Sequence, residues 1–207
     1  MMSPDGRSIG GMEARWAEAR RIEEWAGETR VNLVRIVALV VFYGQHLVLG
    51  HWLADTPLHP GYHKAVTTLV IAWGFAAVAL HACLGRRYVP HWLKYAATAW
   101  DVAMVTVLVA ISGGPSSPLV VLYFLVVATA PLRLSLRLVY CGTLGAVAGY
   151  LVLLGHAKWI AETAAVPRHH QVIFALGLGV AGLLAGQVVR QARRVADGYP
   201  VSVKGSG

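Results

Sequence analysis

The sequence predicts an all-α protein, a six-transmembrane-helix bundle with a short N-terminal amphipathic cytoplasmic helix. Three observations predict it. Of the 207 residues, 57% are apolar and only 14% charged, where ordinary soluble domains carry about 25% charged residues. Six apolar runs follow one another between polar turns, most of them near the ~20 residues that cross ~30 Å of hydrocarbon. All but three of the 18 lysines and arginines fall on one side of these alternating runs, as in a multi-pass topology.

Residues 1–30 form a polar N-terminal segment. Met1 to Gly11 are small and polar, which predicts disorder. From Met12 to Arg30, Met12, Trp16, Ala19, Ile22 and Ala26 recur at helical spacing among Glu and Arg. Such a helix either lies on the inner membrane surface with Trp16 and Trp25 at headgroup level, or packs on the bundle or on a second subunit. The first apolar run begins only after this segment, so no cleavable signal peptide is expected.

Residues 31–190 form the membrane domain. Its expected spans are Asn32–Leu53, His63–Leu84, Trp92–Ser112, Pro118–Leu132, Leu136–Gly155 and Gln171–Val189. The fourth is short and ends at Pro131. Gly145/Gly149 and Gly182/Gly186 give two helices small-residue faces for close approach, within the bundle or in a homodimer. Residues 191–207 continue the sixth helix past Arg194 to about Asp197-Gly198. The final Val201–Gly207 stretch resembles a cut end or an artificial linker. A helix leaving the bundle in this way implies an output domain that is removed or supplied separately.

Lysine and arginine set the orientation. Lys64, Lys158 and Arg168 mark one side. The N-terminal segment, the Gly85-Arg86-Arg87 turn, Lys94, the Arg133/Arg137 turn and the Arg190–Arg194 tail mark the other. The positive-inside rule then puts both termini in the cytoplasm of a bacterial inner membrane. The formal net charge of +8 is explained by these edges and their contact with anionic headgroups, not by nucleic acid. The two cysteines, Cys83 and Cys141, form no CxxC and are expected to be reduced thiols.

No P-loop, HExxH, nucleophile elbow or Rossmann fingerprint is present, so no enzymatic activity is expected. Three features carry candidate chemistry. Asp101 is an acid deep in the third span, where an ionisable group costs roughly 2.5–3.5 kcal/mol or more without a partner. Its candidate partners are His81, Gln187 or a tyrosine such as Tyr140, for a structural hydrogen bond or a protonation or ligand site. The Gly113-Gly114-Pro115-Ser116-Ser117-Pro118 loop is a tight turn whose backbone and serines could also meet a flat ligand with carbonyl oxygens. Tyr123 stands one to two turns beyond. A quinone is such a ligand in a membrane, which makes Asp101, Gly113, Gly114, Ser117, Pro118 and Tyr123 the candidate ligand-binding set.

Nine histidines are the third feature. His46, His51, His59, His63, His156, His169 and His170 are placed near the outer face, His81 and His91 near the inner. Interfacial hydrogen bonding, a metal site and b-type haem between His46 or His81 and His156 are the readings they allow. A small transporter with Asp101 as coupling residue is a further one, but no inverted repeat or paired broken helices accompany it.

The loop Gly113-Gly114-Pro115-Ser116-Ser117-Pro118-Leu119 resembles the GGxxNPF motif of the Reg/Prr-type redox-sensing histidine kinases. Gly113, Gly114 and Pro118 match, while Ser117 stands for the asparagine and Leu119 for the phenylalanine. The resemblance implies a six-helix sensory input domain that binds ubiquinone and feeds a cytoplasmic kinase, whose module this chain lacks. The layout is similar also to six-helix input domains of bacterial nucleotide cyclases, some of which hold haem.

Overall fold

A computed structural model describes residues 5–48, 60–85, 91–159 and 166–198, with side chains described from Trp25 onward except at 60, 91 and 196–198. All described elements are helical: α1 (Asp5–Val48), α2 (Pro60–Gly85), α3 (His91–Ile111), α4 (Leu122–Thr129), α5 (Leu136–Trp159) and α6 (Arg168–Gly198). The stretches Trp25–Val48, Gly61–Gly85, Trp92–Ile111, Leu136–Trp159 and Arg168–Val195 are long and apolar enough to cross a membrane. The fourth span in chain order is the shorter apolar unit Pro118–Arg133. It consists of α4 flanked by 3-10 turns at Pro118–Val121 and Ala130–Arg133.

Proline explains that shorter unit. Pro118 opens the first 3-10 turn, where its missing N–H costs nothing, and the Ser117 hydroxyl caps it by accepting from the Leu119 N–H at 3.3 Å. At the far end Pro131 cannot donate to the α ladder, so the last turn tightens. Leu134 then reverses the chain in the left-handed region at φ 49°, and α5 begins two residues later. The outer loop likewise needs positive φ, at Gly113 (102°) and Gly114 (72°).

α1 runs without a break through Arg30, so the N-terminal segment and the first span are one helix. Several expectations fall outside the described residues. They are the amphipathic face of Met12, Trp16, Ala19 and Ile22, the Arg86-Arg87 turn, His51, His59, the His91 side chain and the Tyr199–Gly207 tail.

Contacts fix the up-and-down order. At one end Trp25 Nε1 donates to the Leu84 carbonyl (3.0 Å), and Arg193 donates to the Leu134 carbonyl. That end gathers the starts of the first, third and fifth spans and the ends of the second, fourth and sixth. At the other end, Tyr62 OH and Ser112 Oγ are 3.2 Å apart. Helices α3 to α6 share the tightest core, with Val105, Val109, Tyr123, Val127, Val139, Ala146, Leu178 and Val189 almost fully buried. The glycine pairs are used inside the bundle. A Cβ at Gly149 would lie 2.7 Å from Thr106 Oγ1 and 3.0 Å from the Tyr123 ring, and one at Gly182 would overlap Thr143. Outward, α6 leaves Val172, Ile173, Leu176, Val180, Leu183, Leu184 and Val188 exposed, an apolar face suited to lipid. Cys83 and Cys141 are exposed free thiols.

Candidate functional site

The site begins with the polar residues of α1. Glu28, Asn32 and Arg35 recur at helical spacing, so they share one face of an otherwise apolar helix. Each is buried, at 4%, 0% and 8% exposure, and so must be satisfied by another helix. Asn32 Nδ2 donates to the Ala77 carbonyl of α2 at 3.1 Å, and its Oδ1 accepts from Arg35 Nη1 at 2.8 Å. Arg35 Nε and Nη2 donate to Asp101 Oδ1 and Oδ2 of α3 at 2.7 and 2.5 Å. Trp73 Nε1 on α2 completes the group, donating to Asp101 Oδ1 at 3.0 Å. A two-pronged guanidinium–carboxylate pair is the strongest arrangement available to such charges.

This corrects the expected pairing of Asp101. His81 is exposed, Gln187 is exposed, and Tyr140 receives a hydrogen bond from Arg190 Nη2 at 2.8 Å. The partner is Arg35, which the lysine and arginine count alone places at the basic edge of the bundle. It lies instead inside the bundle. The signal that could have found it was present: Glu28, Asn32 and Arg35 fall four and three residues apart at the start of an apolar run.

Above this group lies a cavity of about 310 Å³ bounded by α1, α2, α3 and α4. Its origin is a close approach at one end only. Gly27 brings α1 so near the last turn of the fourth span that an added Cβ would lie 3.0 Å from the Leu132 carbonyl. Farther along, the side chains of α1 and α4 line the cavity between them. Its walls are apolar, among them Ala38, Phe42, Val70, Val105, Leu122 and Leu125. Arg35, Asp101 and Trp73 line one end of it, and His46, Tyr62, Ser112 and Ser117 line the other. The span along α1 from Arg35 to His46 is about 16 Å at 1.5 Å per residue.

At that far end His46 Nε2 and His63 Nδ1 are 3.3 Å apart and their rings stack at 5.4 Å. Tyr62 packs edge-on to His46 at 5.6 Å, and Tyr43 OH lies 3.3 Å from Thr67 Oγ1. Among the described residues no group of three or more His, Cys, Asp and Glu side chains is placed to hold a metal ion.

The structure brings Asp101, Ser117 and Pro118 to one cavity. Gly113 and Gly114 form the loop beyond it: Gly113 faces open space, and Gly114 is buried. Tyr123 turns away, with its hydroxyl 2.8 Å from Thr106 Oγ1 and its ring edge-on to Tyr150. His46 lines the cavity, whereas His81 on α2 and His156 on α5 are exposed, and none of the described contacts joins the three.

No curated protein and no solved structure matches the chain. A six-helix family model described as the PilS-like transmembrane domain matches residues 20–187, from the first half of α1 to Gln187 in α6. That domain is a sensory membrane domain rather than a catalytic one. The match reaches all six spans and covers most of the chain, and the chain therefore belongs to the PilS-like transmembrane domain family, a sensor-kinase-type membrane domain.

Proposed function

We propose that this chain is the input of a signalling system in a bacterial inner membrane and that it binds a lipid-soluble redox ligand, a quinone, in the cavity between α1 and α4. The observation that carries this reading is the polarity of the cavity. Its long apolar walls end on the buried Arg35 and the half-buried Asp101 and Trp73, and its volume of about 310 Å³ is at the lower end of known ligand sites, ~300–1,000 Å³. A quinone head has carbonyl oxygens to accept from Arg35 or Trp73, and reduction turns those acceptors into hydroxyl donors. Arg35 keeps N–H groups beyond those bound to Asp101 and Asn32, and the Asp101 carboxylate is an acceptor for the reduced form. The two redox states would thus be held differently, which is what a sensor requires, because a ligand shifts an equilibrium only by its differential affinity. The loop likeness to the Reg/Prr-type kinases supports the same ligand class.

The basic end of the bundle is cytoplasmic in this reading, and α6 carries the signal to a separate or removed output domain. Lipid covers the outer faces. A homodimer would pair through those faces, because both glycine pairs are occupied within the bundle.

The test is thermal unfolding of the chain in lipid nanodiscs with a short-chain ubiquinone analogue. A rise in Tm that saturates with ligand, and that Ala38→Phe abolishes by filling the cavity, is expected. An equal rise in the Ala38→Phe variant, or none at saturation, overturns the reading.

A further inference from the structure

The buried ion pair between Glu28 and Arg133 plays no part in the cavity. Arg133 Nη2 lies 3.1 Å from Glu28 Oε2, and both side chains are 5% exposed. Arg133 Nη1 donates to Thr98 Oγ1 on α3 at 2.5 Å and lies 3.4 Å from the Lys94 carbonyl. One residue on, Leu134 adopts its left-handed turn, and its carbonyl accepts from Arg193 Nη2 at 2.6 Å and Nε at 3.1 Å. Arg193 belongs to the last turns of α6, and Arg190, one turn earlier, donates to Tyr140 at the start of α5.

We infer that Arg133 and Leu134 form a latch that transmits movement of α1 to the C-terminal end of α6. Arg133 is held by α1 on one side of a single peptide unit, and Arg193 is held by Leu134 on the other. A shift of Glu28 along the axis of α1 is therefore passed through two residues to the exit helix. The same α1 carries Arg35 and one wall of the cavity, so a change there reaches the latch through one rigid helix.

The Glu28–Arg133 contact is a close pair of buried opposite charges. Both Glu28 oxygens and Arg133 Nε and Nη2 lack an aligned hydrogen bond. At 3.1 Å and with both side chains 5% exposed, separating the pair would leave two charges buried and unpaired, so Arg133 follows Glu28. The latch does not depend on which ligand fills the cavity, or on whether one does.

Pulsed electron spin resonance on the full chain in nanodiscs tests it without ligand. Spin labels are placed at native Cys83, at the same end on α2, and at Val195→Cys on α6, with Cys141→Ala; both label sites are exposed. The parent is expected to give one narrow distance peak. Arg193→Leu should broaden that peak, Glu28→Gln should do the same, and the double variant should resemble either single one, because the two act in series. Should Glu28→Gln fail to fold, Glu28→Leu/Arg133→Leu removes both buried charges together and is expected to broaden the peak alike. A parent-like peak in the Glu28 variant alongside a broadened Arg193→Leu overturns the latch. A parent-like peak in Arg193→Leu overturns it as well.

Discussion

Arg35 of α1 grips both carboxylate oxygens of Asp101 on α3, at 2.7 and 2.5 Å, with side chains 6% and 14% exposed. Removing one partner leaves the other charge buried and uncompensated. Asp101→Asn or Arg35→Met is expected to destabilise the bundle by about 3–5 kcal/mol, whereas the apolar pair Arg35→Met/Asp101→Leu should cost much less than the sum. Equilibrium unfolding in mixed micelles checks this. Additive losses would show that the two side chains do not act as a pair.

The glycines divide into packed and open positions, and substitution should divide with them. Gly149→Ala and Gly182→Ala each place a methyl against Thr106 and Tyr123 or against Thr143, and each should cost about 1–3 kcal/mol. Gly74→Ala meets nothing within 4 Å, so it should be neutral or stabilise its helix by up to about 1 kcal/mol. The same unfolding assay, run on the three variants side by side, is the check.

Leu134 is the one non-glycine residue with positive φ among the described residues. The left-handed conformation costs a side chain with a Cβ roughly 1–2 kcal/mol, and Leu134 is 41% exposed, so little packing is lost with its side chain. Leu134→Gly should therefore leave the protein as stable or make it more so, while Leu134→Val, β-branched, should destabilise it. A rise in Tm for Val over Leu would contradict the turn geometry.

Most of the fold is legible in the sequence because lipid imposes a simple rule. A span must be apolar over a fixed length and must satisfy its own backbone. The six spans and the proline-bounded shortness of the fourth follow from that. Asp101 was legible as an anomaly for the same reason. Its partner was not, because an arginine near the start of the first span reads as an edge charge until the helical phase of Glu28, Asn32 and Arg35 is drawn. Tyr123 illustrates a second limit. The loop pointed to it, but one position along a helix rotates a side chain by about 100°, so Leu122 lines the cavity and Tyr123 enters the α3–α5 core. The pairing of His46 with His63 depends on two helices meeting across a loop, which no local pattern specifies.

Orientation makes a separate prediction. Cysteines introduced at Arg194 and Lys64, in a chain with Cys83→Ala and Cys141→Ala, lie at opposite ends of the bundle. A membrane-impermeant maleimide added to intact spheroplasts is expected to modify the Lys64→Cys variant and to spare Arg194→Cys until the membrane is opened. The reverse pattern would invert the proposed topology and place α6 output outside the cell.

The most direct measurement is photoaffinity labelling of the nanodisc-embedded chain with an azido-ubiquinone, followed by peptide mapping. Label is expected on the cavity-facing stretches of α1 between Val34 and His46 and of the fourth span between Pro118 and Thr129, competed by unmodified quinone and lost in Ala38→Phe. Label on the lipid-facing side of α6, around Leu176 and Leu183, or label that unmodified quinone does not displace, would contradict a quinone site in the bundle.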